Sequence, residues 1–238
     1  MLCCDLFFVP PMIGVIVPVH NEERLLARCI ASIQQSACSP LLQSEPVEIV
    51  LVLDSCTDES HAIASRRDVT ILVGDLRNVG AARALGAAYC LKRKARWLAF
   101  TDADTVVAPG WLARQLQQGC DAVCGTVHVE DWEDHASSTR QFFVTAYTDL
   151  DGHRHVHGAN LGVSATAYLR AGGFLPLACS EDVALVEALQ RCGASIAWSA
   201  APRVTTSARK NFRCVGGFGA TLLQMQAEAG LLATGAPC

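Results

Sequence analysis

The sequence predicts an α/β fold built on a mostly parallel sheet, and three observations carry that prediction. Four short apolar runs rich in branched residues, IGVIVPV (13–19), EIVLVLD (48–54), VTILVG (69–74) and RWLAFTD (96–102), are nearly continuous in apolarity, as expected for strands covered on both faces. Helical spacing recurs between them. Polar residues gather just past each run, at the strand ends where open parallel sheets bind ligands.

The elements follow in order. Between the first two runs Leu25, Cys29 and Ile33, with Leu26 and Ile30 beside them, recur at helical spacing behind Asn21, Glu22 and Glu23, a cap residue followed by acids in the first turn. Between the third and fourth, AARALGAAYCLKRK is helical, with small residues that allow close packing on the sheet and basic residues in its last turn. The order is β-α-β-α-β-α-β. The second half is more mixed: a helix from Trp111, a strand near DAVCGTVHVED (121–131), a helix near TRQFFVTAY, the segment HGANLGVS, a turn AGGF, a helix SEDVALVEALQRCG and a strand SIAWSA. No repeat or low-complexity linker separates the halves. Residues 13–210 are therefore expected to form one domain of two lobes, 13–105 and 106–210, between an N-terminal extension (1–12) and a C-terminal tail (211–238).

Composition narrows the partners. The 238 residues, 51% hydrophobic, supply a core and exclude extensive disorder, and a net charge of -4 offers no basic stripe to a nucleic-acid backbone. A polyanionic ligand must be met by local groups or a metal. Twelve cysteines are scattered without a C-x-x-C pair or zinc-type spacing, which fits small buried thiols in a reducing cytoplasm. The N-terminus lacks a basic region and ends in two prolines, a poor signal peptide, and neither end reads as about 20 unbroken apolar residues. Either end could rest peripherally on a membrane surface.

The run LAFTDADTVV sets the chemical question. A chain that buries Leu98 and Phe100 should not tolerate Asp102 and Asp104 beside them, because desolvating uncompensated carboxylates costs on the order of several kcal/mol. A carboxylate pair at i and i+2 past a strand end can turn both oxygen sets toward one point. Such hard ligands suit Mg²⁺ or Mn²⁺, which bind one or two carboxylates plus substrate phosphates. A lone D-x-D more often marks a turn; its place at a strand end, with other polar ends converging, argues for a metal.

The series IVPVHNEERLLARCIASI, IVLVLDSCTDES, RNVGAARALGAA, FTDADTVVAPGWL, GANLGVSATAYLRAGGF and CSEDVALVEAL resembles, in order and spacing over about residues 13–210, glycosyltransferase family 2, nucleotide-sugar-dependent transferases of GT-A fold. That fold fuses a Rossmann-like nucleotide-binding half to a mixed acceptor-binding half. The resemblance implies a nucleoside pocket lined by Pro18, His20, Asn21 and Glu22, with Asp54 meeting the base and Asn78 and Arg83 near the nucleotide. It implies Asp102 and Asp104 as the metal pair, Asp102 also close to the ribose. Gly158, Ala159 and Asn160 match the segment under the donor sugar, and Glu181–Asp182 matches the general-base motif, with Asp182 the expected base and Glu181 the alternative.

The chemistry is consistent with this. Glycosyl transfer needs a cation to take up charge on the departing diphosphate and a carboxylate to accept the proton of an attacking hydroxyl. Two separate acidic clusters supply both. The ordinary alternatives are acids in the first turn of a helix for Glu181 and Asp182, and a strand-end Asx turn for Asp54. Other features depart from the pattern or stand outside it. His20 and Ser55–Cys56 stand where the family often has Tyr and Gly-Ser, and no Q-x-x-R-W motif appears, so single additions are expected rather than polymer synthesis. The run HRHVH aligns His153, His155 and His157 if it is a strand, either as a polar face near the acceptor or as a metal site. Arg209, Lys210 and Arg213 form a late basic cluster that could close on a diphosphate or stay solvated. A sugar nucleotidyltransferase would need a glycine-rich, basic loop after the first strand, and PVHNEER has neither glycine nor lysine. A non-catalytic nucleotide-sugar-binding module is the other alternative. Inversion is expected from the base motif.

Overall fold

The computed structural model describes residues 11–132 and 135–208. Most of the N-terminal extension, the C-terminal tail and the basic cluster from Arg209 lie outside the described residues. The first half runs β1 (Met12–Val19), α1 (Leu26–Ala37), β2 (Val47–Asp54), α2 (Ser60–Ala64), β3 (Thr70–Gly74), α3 (Val79–Lys92) and β4 (Ala95–Phe100). The remainder runs β5 (Val106–Val107), α4 (Trp111–Leu116), β6 (Ala122–Gly125), α5 (Ser137–Ala146), β7 (Leu161–Ser164), α6 (Ala165–Ala171), α7 (Glu181–Arg191), β8 (Ile196–Ser199) and β9 (Val204–Thr205). Short 3₁₀ turns fall at Pro40–Leu42 and Gly158–Asn160.

One seven-stranded sheet of order β3-β2-β1-β4-β7-β6-β8 spans both halves. All neighbours pair in parallel except β7, which runs antiparallel to β4 and β6. Helices cover both faces, as continuous apolarity requires. On one face Ile13, Val15, Val17 and Val19 meet Leu26, Cys29, Ile30 and Ile33 of α1 and Trp111 and Leu112 of α4. On the other, Ile16, Val50, Val52 and Phe100 meet Ala82, Ala87 and Cys90 of α3, Tyr168 of α6 and Leu185 and Leu189 of α7. Emptying one such site, as in Ile30→Ala, costs about 2–5 kcal/mol.

Two expectations are corrected. Asn21 does not cap α1, which begins at Leu26 with no acid in its first turn. Asn21 instead takes a left-handed backbone (φ 52°), and its amide oxygen accepts the Thr57 N–H at 2.7 Å. The expected helix between β2 and β3 is present and five residues long, with Thr57, Asp58 and Glu59 before it used in loop cross-links. The run 153–157 is irregular rather than a strand.

Pro18 sits in a central strand, yet β4 pairs only as far as Ile16↔Phe100, so no ladder partner on that side misses its N–H. The eight described cysteines of known burial are all free thiols. Among the described residues no helix is long and apolar enough to cross a membrane.

Candidate active site

The pairing register brings the polar residues to one edge. Phe100, at the end of β4, pairs with Leu161, at the start of β7, and Gly125, at the end of β6, pairs with Ser199, at the end of β8. Residues 20–23, 54–58, 75–78, 101–105 and 158–160 therefore share a rim. Asn21, Ser55 and Arg77 in these loops, and Ser180 just before α7, all have left-handed backbones, at φ 52°, 53°, 48° and 58°. Non-glycine residues adopt that region only when surrounding bonds hold them there.

Those bonds are visible. His20 Nδ1 lies 2.7 Å from the Asp54 carbonyl, so that nitrogen carries the proton. The Glu22 N–H donates to Ser60 Oγ at 2.8 Å, the Glu23 N–H to Asp58 at 2.9 Å, and the Glu59 N–H to Glu23 at 3.1 Å. Glu22 is itself buried, at 6% exposure. Asp54 is the most heavily used of the acids. One of its oxygens accepts the N–H groups of Leu76 (2.6 Å) and Arg77 (2.9 Å) and the Ser55 hydroxyl (3.1 Å); the other accepts the Asn78 N–H at 3.0 Å. Burial pushes its carboxyl up, and the donors from Arg77, Asn78 and Leu76 more than reverse that, leaving it below the usual range. Four bonds fill about all the acceptor positions of a carboxylate. Asp54 thereby organises residues 75–78 as a strand-end turn. Asn78 continues the chain of contacts: its Oδ1 caps α3 through the Ala81 N–H at 2.8 Å, and its Nδ2 donates to the Leu177 carbonyl at 2.9 Å, next to the base motif.

Asp102 and Asp104 are both half-buried, alternating with buried Thr101, Ala103 and Thr105, so both carboxylates lie on the water-facing side of the turn. They are not equivalent. An oxygen of Asp102 accepts from Arg83 Nη2 at 2.6 Å, whereas Asp104 lies 3.3 Å from the Thr105 hydroxyl. Beneath them the Cys29 thiol contacts the Asp102 carbonyl at 3.3 Å and is pushed well up, by burial first and then by the charges of Asp104, Asp102 and Glu22. Among the described residues, no three His, Cys, Asp or Glu side chains converge into a metal cage. A pair of this kind suits a Mg²⁺ or Mn²⁺ ion that completes its shell with water and substrate phosphate.

Arg83, expected near the nucleotide, is 3% exposed and acts as an internal counterion. Its Nη2 holds Asp102, its Nη1 holds Glu181, and its face lies 5.6 Å from the centre of the Phe174 ring. Its Nε is buried without a hydrogen-bond partner. Gly158 lies against the same guanidinium, where an added Cβ would stand 2.3 Å from Nη2, so only glycine fits. Burial pushes the Glu181 carboxyl up, against the pull of Arg83.

Its neighbour differs. Asp182 is half-buried and sits outside the Arg83 contacts; its Oδ2 accepts the Gly158 N–H at 2.7 Å and its Oδ1 the Val183 N–H at 2.8 Å. These bonds use about half of its acceptor positions.

Of the predicted donor segment, Asn160 is fully buried and serves as a tie. Its Oδ1 accepts from Trp111 Nε1 at 2.9 Å, and its Nδ2 donates to the Thr126 and Pro202 carbonyls at 2.8 Å each. Ala159 is also buried, at 7% exposure.

Sequence reasoning missed a pair behind the segment. The Tyr147 hydroxyl accepts the Val127 N–H at 2.9 Å and lies 2.9 Å from His157 Nε2, so it donates to that nitrogen. The imidazoles of HRHVH stack rather than converge, at 5.5 Å for His153–His155 and 5.9 Å for His155–His157, with Tyr147 stacked on His155 at 4.1 Å. Burial, then His155 and His153, push His157 down to about 3. The signal was a tyrosine ten residues before a histidine.

Comparison with known proteins identifies the fold. Mannosyltransferase PcManGT from Pyrobaculum calidifontis, in complex with GDP-Man and Mn²⁺, superposes with a TM-score of 0.64 at 16% identity, covering 96% of this chain and 76% of that one. TarS residues 1–349 of S. aureus, in complex with UDP-GlcNAc, superposes with a TM-score of 0.63 at 15% identity, covering 92% and 66%. The fold is GT-A. The uncharacterized glycosyltransferase EpsJ of Bacillus subtilis (strain 168) is 29% identical over 111 residues, 45% of this chain and 30% of that protein. The chain thus matches less than a third of that curated relative's length. The pattern of Glycosyl transferase family 2 matches residues 14–169, more than half of the chain, and with the fold in agreement the chain belongs to glycosyltransferase family 2.

Proposed function

We propose that this glycosyltransferase moves a sugar from a nucleotide-diphosphate sugar to a hydroxyl acceptor in one inverting displacement, with Asp182 as general base. The observation that carries this reading is the division of labour in the acidic motif: Glu181 is buried against Arg83, while Asp182 keeps acceptor capacity and grips the Gly158 N–H at 2.7 Å. Asp182 takes the acceptor's hydroxyl proton as that oxygen forms its bond to the anomeric carbon, and the bond from that carbon to the diphosphate oxygen breaks with its electron pair.

Asp102 and Asp104 would hold a Mg²⁺ or Mn²⁺ ion, which when bound neutralises charge on the diphosphate. Arg83 holds Asp102 and Glu181 in place, and residues 20–23, 54 and 75–78 line the nucleoside side. Asp54 shapes that wall through residues 75–78 rather than by a free carboxylate. The nucleotide-sugar ligands of the structural neighbours support this choice of donor class.

Asp182→Asn tests the base. Transfer should fall about 10²–10⁴-fold while nucleotide-diphosphate affinity is kept; unchanged transfer would remove Asp182 from the mechanism. Titrating UDP and GDP with and without Mn²⁺ tests the acid pair, since repulsion between a carboxylate and a phosphate oxygen 4 Å apart is roughly 1–4 kcal/mol. Equal affinity in both conditions would refute the metal reading.

A further inference from the structure

The second half contains a cleft between the chain that follows β6 and helix α5. It has a volume of about 230 Å³ and is lined by His128, Glu130, Trp132, Arg140, Phe143 and Val144. That is below the roughly 300–1,000 Å³ of sites for drug-sized ligands, so it admits one ring and not a nucleotide. Its base is apolar, with Phe143 at 5% exposure. Trp132 meets Phe143 edge to face with centroids 5.4 Å apart, and Phe143 stacks on Tyr147 at 4.7 Å, which fixes the plane of the indole.

Around this base stand polar groups that can turn to a ligand. His128, Glu130 and Arg140 are exposed. Glu130 makes a 3.9 Å ion pair with Arg28 in which both side chains stay mostly in water, an interaction worth little and readily exchanged. A flat aromatic surface ringed by a carboxylate, a guanidinium and an imidazole complements a pyranose, which has one face of C–H groups and hydroxyls around its edge. An alkyl chain would leave the three polar groups without hydrogen bonds on desolvation.

The cleft also lies beside the reaction rim. His128 bridges to Thr205, and its carbonyl accepts the Thr206 N–H at 2.9 Å. The Thr206 hydroxyl oxygen lies 3.0 Å from that of Thr105, which in turn is 3.3 Å from Asp104. On the other side, Tyr147 connects Phe143 to His157, the residue before Gly158.

We propose that this cleft is an acceptor subsite that takes a pyranose residue of the acceptor. Trp132 stacks on the C–H face of the ring, and Glu130 and Arg140 bond its hydroxyls. The proposal rests on the glycosyl-transfer reading above and names its acceptor class.

The test uses the full chain and a panel of methyl pyranosides (gluco, manno and N-acetylglucosamine configured) in ligand-observed saturation-transfer NMR, with UDP and GDP titrated in parallel. At least one pyranoside should bind the wild type. Trp132→Ala should weaken it about tenfold, Arg140→Ala should weaken it less, and Trp132→Phe should retain most of it. Nucleotide affinity should be the same in all. No pyranoside binding to the wild type, or full binding in folded Trp132→Ala and Arg140→Ala, overturns the cleft. If Trp132→Ala does not fold, Arg140→Ala decides, because its side chain is exposed and carries no core. Pyranoside binding that depends on Trp132, in a chain that binds no nucleotide diphosphate, would instead overturn the donor reading and leave the cleft standing.

Discussion

Around β1, β2 and β3 the loops of the site are fastened by carboxylates and amides on backbone N–H groups: Asp54 on residues 76–78, Asn21 on Thr57, Asp58 on Glu23. Around β6 and β7 the corresponding segment is fastened by rings on rings, through Phe143, Tyr147, His155 and His157. The first region fixes backbone N–H groups in left-handed turns and holds a constant shape. The second fixes side-chain planes and depends on which rings are present. The difference teaches that one side of the rim is specified by hydrogen bonds to the backbone and the other by packing, with Arg83 joining the two.

The largest expected effect comes from breaking that join. Arg83→Met leaves Glu181 buried without its partner, and removing one member of a buried pair costs about 3–5 kcal/mol. A denaturant melt should show the loss, and Arg83→Lys should not restore it, because a single ammonium cannot span Asp102 and Glu181. Unchanged stability in both variants would disprove the join.

Next in size is Asp54→Ala, confined to the first region. It orphans N–H groups of residues 76–78, with an expected loss of about 1–3 kcal/mol and raised protease sensitivity at Arg77. Its sign with pH is also set. The folded carboxyl lies below its unfolded value, so its stability is present above that unfolded value and is lost as pH falls through the folded one. The alanine variant should therefore lose less on acidification than the wild type.

The last effect belongs to the second region and shows only on acidification. His157 titrates at about 3 when folded against an ordinary 6.5, so between those values the unfolded chain binds the extra proton. Stability contributed by the neutral ring is full above pH about 6.5 and falls as pH drops toward 3. His157→Gln should flatten that part of the stability–pH curve; an unaltered slope would show that the stack does not titrate this way.

Much of this was legible in the sequence for a physical reason. Strands buried on both faces must read as apolar runs, and polar ends must then collect where the runs stop, so β1 to β4 and Asp54, Asp102 and Asp104 could be placed. The destination of each polar atom could not. Whether Asp54 meets a ligand or three N–H groups depends on residues 76–78, more than twenty positions away, and Arg83 finds Glu181 across 98 positions. The Asn21 error came from the same source: a capping residue at a plausible offset was diverted by a neighbouring loop. Tyr147, Phe143 and Trp132 carry no motif, and only packing reveals their order.

The reversed direction of β7 has a broader consequence. Because Leu161 opens that strand opposite Phe100, the chain delivers residues to the rim before the strand begins, as well as after β1 to β4 end. Length changes upstream of His153 can therefore alter this part of the rim without shifting β1 to β4. One reversed strand makes the two parts of the rim separable.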